Sequence, residues 1–232
     1  MENNMVKTPE QLLNIMKAEA MGDACFSHIL DFMKVGMTER QVADEIERFL
    51  LSLGAEGLSF PTICVSGSRT EFPHGEPSDK VIEKGDLVTI DMGAIVNGYC
   101  GDMTRTVAMR HVTDQQREVY DIVLRAQMAG LAAVKTGAKC FDVDKICRDI
   151  ITEAGYGQYY VHGTGHGVGM EVHESPTLNT KSKETLEEFM PVTIEPGIYL
   201  PGNFGVRIED LAIVTDFGII NTTRSEKELI IL

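Results

Sequence analysis

Three histidines share one glycine-rich stretch, His162-Gly163-Thr164-Gly165-His166-Gly167, which continues through Val168, Gly169, Met170, Glu171 and Val172 to His173. Glycine lets backbone approach closely, so such a stretch can gather imidazoles around a small bound group. A lone histidine is more often a satisfied core or surface group. Here, however, His74, His162, His166 and His173, four of the six in the chain, lie in loop-like contexts containing Gly or Pro. The spacing is not a dinucleotide fingerprint, because Val168 would have to be a third Gly. Asp216-Phe217-Gly218 imitates a kinase tripeptide without its companion motifs and reads as a turn.

Carboxylates supply the other half of the chemistry. Asn97-Gly98 is a strong signal for a two-residue hairpin turn between strand-like segments 87–96 and 99–107. Counting outward from Val96 opposite Tyr99 sets Gly93 against Asp102 and Asp91 against Thr104. Asp91 and Asp102 then become diagonal neighbours on one face, with Cα atoms roughly 7 to 8 Å apart, provided no bulge intervenes at Gly101. Two facing carboxylates repel and need a cation or a mixed protonation state. Two Asp alone would more simply be solvated strand ends. Glu195 and Glu209, in the apolar strand-like segments 193–197 and 205–210, add to the set, since buried carboxylates require partners. Asp91, Asp102, Glu195, Glu209 and a neutral His166 together carry four negative charges and one imidazole, which balances two divalent cations. Oxygen-rich ligation with one nitrogen suits manganese, cobalt, zinc or iron(II).

These residues need a scaffold. Thr8, Pro9 and Gln11 form a helix start, and the helix is expected to run to about Lys34. Thr38 and Gln41 start a second helix, with Val42, Ile46, Phe49, Leu50 and Leu53 recurring at helical spacing until Gly54. Thr113 and Gln116 start a third, and Val143, Ile146, Ile150 and Ile151 mark a fourth before Gly155. The two pairs repeat at an offset of about 101 residues, matching Lys34 with Lys135, Gly36 with Gly137 and Gly54 with Gly155. Strand-like sequence follows each pair, at 58–65 and 86–109, then at 159–162 and 192–214. The expectation is an α+β fold of two pseudo-symmetric halves, approximately 8–110 and 111–225, with antiparallel sheet covered by helices. A chance alignment of amphipathic helices is the plainer alternative.

Composition bounds the partners. The 232 residues, 43% hydrophobic and 24% charged, are those of an ordinary globular chain and suit one domain over 1–232. With 21 Lys and Arg against 35 Asp and Glu, the net charge of −14 leaves no basic footprint for nucleic acid or an anionic membrane. Residues 1–5 lack the pattern of a signal peptide, and no apolar run approaches about 18 residues, so the cytoplasm is the expected location. Five cysteines without a Cys-x-x-Cys pair read as buried thiols.

With these residues in hand, the sequence resembles the pita-bread metallopeptidase family that includes methionine aminopeptidases, Xaa-Pro aminopeptidases and prolidases. The resemblance runs from about Thr8 to Leu232. It matches Asp91, Asp102, His166, Glu195 and Glu209, in order, to the ligands of a dinuclear metal site. It implies an exopeptidase acting on the N-terminal bond of peptides or on dipeptides. Glu195 would move the proton of the attacking water, and His74 and His173 would steady substrate and oxyanion. His162 and Arg207 would line the leaving-residue side. Phe72-Pro73-His74-Gly75, the stretch from His162 to Pro176, and 205–210 look more like the Xaa-Pro branch. Methionine aminopeptidases usually carry Cys and His where Pro73 and Asp210 stand. The length points the other way, since the chain begins almost at the catalytic domain with no additional N-terminal domain, as short methionine aminopeptidases do. Removal of initiator Met therefore stays open, as does a non-catalytic binding protein on the same fold. The expected partner is a peptide, and the expected state a monomer or homodimer.

Overall fold

Capping chemistry sets where the helices begin in the computed structural model, which describes residues 5–232. The leader reading, apart from Met5, falls outside the described residues. Thr8, Thr38 and Thr113 each accept the N–H of a Gln three residues on, and each Gln side chain accepts the N–H of its Thr. Helices α1 (Pro9–Phe32), α2 (Glu39–Ser52) and α3 (Asp114–Ala133) therefore start where the sequence predicts. Helix α4 (Cys140–Glu153) lacks such a box, yet each of its bounds lies 101 residues beyond that of α2. The glycines that end the helices of each pair also correspond, Gly36 with Gly137 and Gly54 with Gly155, all at φ between 84° and 97°.

The first half holds an antiparallel sheet in the order β1 (Ile63–Ser66), β2 (Leu87–Met92), β5 (Met103–Ala108). Strands β3 (Ile95–Val96) and β4 (Tyr99–Cys100) carry the hairpin to its turn, where Asn97 and Gly98 take φ of 49° and 77°. Two successive left-handed residues are what a type I′ turn needs. The register pairs Val96 with Tyr99, Met92 with Met103 and Asp91 with Thr104, so no residue is gained or lost at Gly101.

The second half holds β6 (Gly165–Gly167), β7 (Glu174–Leu178), β8 (Pro191–Ile194), β11 (Asp210–Thr215) and β12 (Gly218–Asn221) in the order β12-β11-β8-β6-β7, beside the hairpin of β9 (Gly197–Leu200) and β10 (Phe204–Arg207). Thr215 pairs with Gly218 across Asp216 and Phe217, the turn read from sequence.

Two strand expectations are corrected. Segment 58–65 becomes a strand only from Ile63, Leu58 keeping a single bridge to Ala94. Segment 159–162 forms no strand: a 3-10 turn spans Gly157–Tyr159, and the carbonyls of Tyr160 and His162 accept hydrogen bonds from the Arg148 guanidinium. Carbonyls so engaged are lost to a sheet ladder, which begins at Gly165.

Each helix pair buries most of its apolar face on its own half, while Ile15 of α1 packs with Val168 and Leu211 of the second. Phe26, Ile29, Val42, Ile46 and Leu50 pack on Ile90, Met92 and Val107. Val119, Val123 and Ile151 pack on Ile198, Val206 and Ile208, and Leu131 and Val143 on Val192, Ile194 and Val214. Among the described residues no helix is long and apolar enough to cross a membrane. The halves are stitched where β5 runs beside β10: the Thr106 hydroxyl donates to the Arg207 carbonyl at 2.9 Å and accepts the Arg207 N–H at 3.3 Å. Thr104 adds its carbonyl, which accepts the Glu209 N–H at 3.1 Å.

Thr106→Val keeps the shape of this side chain and removes both of its hydrogen bonds to the Arg207 backbone. It should destabilise the chain by about 1 to 3 kcal/mol, read as a lower urea midpoint with unchanged slope. A wild-type midpoint would show that the seam does not depend on this hydroxyl.

Candidate metal centre

The seam brings the acidic residues of both halves together. Asp91 comes from β2 and Asp102 from the residue before β5; His166 comes from β6, Glu195 from the turn after β8, and Glu209 from between β10 and β11. One ligand atom each from Asp102, His166 and Glu209 lies within 4.8 Å of the others. Asp91 and Glu195 border the same cavity of about 440 Å³, as do His74, His162, His173 and Arg207. All nine residues singled out from the sequence therefore face one space.

Glycine makes the His-Gly stretch possible in a specific way. A Cβ on Gly165 would strike the backbone of Thr193, so only glycine lets β6 lie this close to β8. The loop before it is gripped from α4, where Asp144 pairs with Arg148 at 2.9 Å and accepts the Thr164 hydroxyl at 2.9 Å. His166 is oriented by its neighbour: the Gly167 carbonyl can only accept, so Nδ1 donates to it at 3.0 Å. Nε2 is left facing Glu195 Oε1 at 3.3 Å and Asp102 Oδ2 at 3.6 Å. That is the tautomer a metal-binding imidazole needs.

Burial pushes Asp91 up from the usual carboxylate range, partly offset by Arg207. Asp102 and Glu209 stand well above that range, through burial first and then the repulsion of neighbouring carboxylates. Burial also works against the charge on Glu195, but His166, His162 and Arg207 outweigh it and hold this carboxyl at about 2. His166 is raised, burial being outweighed by Glu195, while burial lowers both His162 and His173.

A divalent cation fits this set. The donors are carboxylates and one imidazole, the carboxylates repel one another, and Asp91 Oδ1 is buried without a hydrogen-bond partner. Its other oxygen accepts Arg207 Nη2 at 2.7 Å.

Arg207 and His162 are more deeply engaged than their expected place beside the substrate suggests. Arg207, 3% exposed, also donates to the Thr104 hydroxyl, the Pro73 carbonyl and the Tyr199 hydroxyl, at 3.2, 3.0 and 3.0 Å. His162 Nδ1 lies 2.7 Å from the Gly163 carbonyl and Nε2 lies 2.8 Å from the Tyr199 hydroxyl. Tyr199 is thus a bridge between the two that sequence reasoning missed.

Glu19 and Arg105 were missed as well. Glu19 Oε2 accepts the Asp102 N–H at 2.9 Å, and burial pushes Glu19 up to about 8. Arg105 donates to the Glu209 carbonyl and to Asp210 Oδ1. Glu19 had a visible signal, being an acidic residue in the stripe Ile15, Ala18, Gly22 and Phe26 that α1 buries.

The chain matches known proteins over nearly its whole length. Residues 14–216 match metallopeptidase family M24. The Xaa-Pro dipeptidase of Pyrococcus furiosus is 44% identical over 97% of this chain and 65% of its own length. A solved Xaa-Pro dipeptidase from Bacillus anthracis superposes with a TM-score of 0.97 at 48% identity, over 98% of this chain and 64% of that one. An X-Pro aminopeptidase structure from Thermotoga maritima gives 0.96 at 38%, over 98% and 65%. The chain spans about two thirds of the length of the curated relatives it matches, 65% for the first two. The extent of these matches, over a fold of two pseudo-symmetric halves with a shared acidic centre, makes the chain a member of metallopeptidase family M24 with the α+β pita-bread fold.

Proposed function

We propose that this chain is a metal-dependent exopeptidase that hydrolyses the bond after the N-terminal residue of Xaa-Pro peptides. Two divalent ions would be held by Asp91, Asp102, His166, Glu195 and Glu209. The observation that carries this reading is the approach of Asp102, His166 and Glu209 ligand atoms to within 4.8 Å in a buried cavity where Asp91 Oδ1 has no other partner. The names of the relatives, Xaa-Pro dipeptidase and X-Pro aminopeptidase, support the substrate class. So does the apolar wall of Phe60, Pro61, Ile63 and Pro73, which suits a proline ring. Both halves supply ligands, so 1–232 acts as one catalytic unit.

When bound, the ions supply an acidified water and a polarised scissile carbonyl. The chain's own residues do the rest. Glu195, ionised beside His166, takes a proton from the attacking water and passes it to the departing nitrogen as the C–N bond breaks. His173 and His74 face the cavity and donate hydrogen bonds to the oxygen of the tetrahedral adduct. Arg207, Tyr199 and His162 fix the opposite wall and hold Asp91 in place. Five unbridged, buried cysteines suit the reducing cytoplasm.

A panel of Ala-Pro, Ala-Pro-x and Met-Ala-x peptides, assayed with manganese, cobalt or zinc after exhaustive chelation, tests the proposal. The metal-stripped chain should be inactive, and restored activity should favour the Xaa-Pro members. Undiminished activity without metal would overturn the mechanism, and a preference for Met-Ala-x would overturn the substrate class.

Glu195 and Glu209 should part company when each is changed to Gln. Glu209→Gln removes a ligand charge and should lower metal content. Glu195→Gln also removes the proton carrier, so kcat should fall by about 100-fold or more with a smaller change in KM. Metal analysis and both kinetic constants decide this. Wild-type kcat in Glu195→Gln rules out its role as the base.

A further inference from the structure

Glu19 is a carboxylate in the wrong place for a packing residue. It sits on the face of α1 that carries Ile15, Ala18, Gly22 and Phe26 into the core, and it is 1% exposed. Burying a carboxyl costs several kcal/mol unless its oxygens are partnered, and a leucine would dock the helix at lower cost. What the carboxyl does that a leucine cannot is accept hydrogen bonds, and its two partners are informative. Oε2 accepts the backbone N–H of Asp102 at 2.9 Å. Oε1 accepts the hydroxyl of Thr223, whose oxygen in turn accepts the N–H of Leu211 at 2.9 Å. A continuous chain of hydrogen bonds therefore runs from the backbone of Asp102 to the backbone two residues beyond Glu209.

Two further features point the same way. The Gly101 N–H pairs across the hairpin with the Ala94 carbonyl at 2.8 Å, so by alternation the Asp102 N–H points out of the hairpin and needs a partner from elsewhere. At Gly101, a Cβ would lie 2.8 Å from the carbonyl carbon of Ala18 and 2.9 Å from the nitrogen of Glu19, so the helix backbone presses directly on the residue before Asp102. One turn on, Asp23 accepts the N–H groups of Arg224 and Ser225 and secures the turn that presents Thr223.

We propose that Glu19 is a positioning residue of the metal centre, fixing the backbone of Asp102 and its spacing from Glu209 through Thr223 and Leu211. The proposal rests on the reading of Asp102 and Glu209 as metal ligands. Groups one step behind the ligands set the direction of the ligand atoms, and their loss typically weakens metal binding by about 10 to 100-fold.

The test is cobalt(II) binding to the full, metal-free chain, followed by titration calorimetry and by the visible absorbance of the bound ion. Glu19→Ala should weaken cobalt binding by about 10-fold or more and alter the absorbance. Glu19→Gln, whose carbonyl can still accept the Asp102 N–H, should recover most of the loss. A lower Tm with wild-type affinity and spectrum in Glu19→Ala means that the residue serves folding alone and overturns the proposal. Should Glu19→Ala fail to fold, Thr223→Val decides. It keeps the carboxyl but removes its second anchor, and should weaken cobalt binding in the same direction; unchanged affinity overturns the proposal. If the wild-type chain itself binds no cobalt, the metal-centre reading fails and this inference with it. That outcome is distinct from wild-type binding that survives Glu19→Ala.

Discussion

Asp91, Asp102 and Glu209 are pushed toward their neutral forms by burial and by neighbouring carboxylates, Glu195 among them, while Glu195 remains ionised against His166. At about 4 Å and an effective dielectric of about 20, each like-charged pair costs on the order of 4 kcal/mol, more than most single packing contacts return. A chain that gathers these groups must hold them against that repulsion until a cation arrives. Much of the surrounding structure answers to this requirement. Arg207 supplies a fixed positive charge beside Asp91, and the Thr104 hydroxyl, 2.6 Å from Glu209, donates to one oxygen of that carboxylate.

The two-halved fold is suited to this load. Neither half could by itself assemble the proposed ligand set, because Asp91 and Asp102 belong to one half and His166, Glu195 and Glu209 to the other. The cluster therefore forms only as the halves dock, and the docking contacts are themselves next to its members. Thr104 receives Glu209 through its carbonyl and through its side chain, and Thr106 brackets the backbone of Arg207. Arginine suits position 207 because a planar guanidinium serves four partners in different directions at once, which a lysine ammonium with three donors cannot.

What the sequence revealed was mainly local. The capping boxes at Thr8, Thr38 and Thr113, and the Asn97-Gly98 turn with the register counted from it, depend on neighbours within a few residues or across one hairpin. The nine candidate residues were picked out because their types and order resemble a known family, and all nine line one cavity. The failures arose where a distant side chain decides the outcome. Arg148 takes the carbonyls of Tyr160 and His162, turning an apparently strand-like segment into a loop. Arg105 reaches Glu209 across 104 residues and Tyr199 reaches His162 across 37; Glu19 stood out on its buried stripe, but its partner Asp102, 83 residues away, did not, and no spacing rule reaches that far.

Asp210 shows how position in sequence and role can separate. It directly follows Glu209, yet its carboxylate turns away from the cavity to Arg105, Lys227 and Asn221. Arg105 and Lys227 hold Asp210 below the usual carboxylate range despite its burial. Arg105 meanwhile donates to the carbonyls of Glu209, Ser225 and Glu226, so the residues after β12 are tied to the backbone of a candidate ligand. The same segment continues beside β5, where the Ala108 N–H reaches the Ile230 carbonyl and the Leu232 N–H returns to Ala108. The stretch 222–232 thus lies against both regions that carry candidate ligands, on Glu19 through Thr223 and on Glu209 through Arg105. Its backbone hydrogen bonds are part of the framework that keeps the carboxylates at their separations.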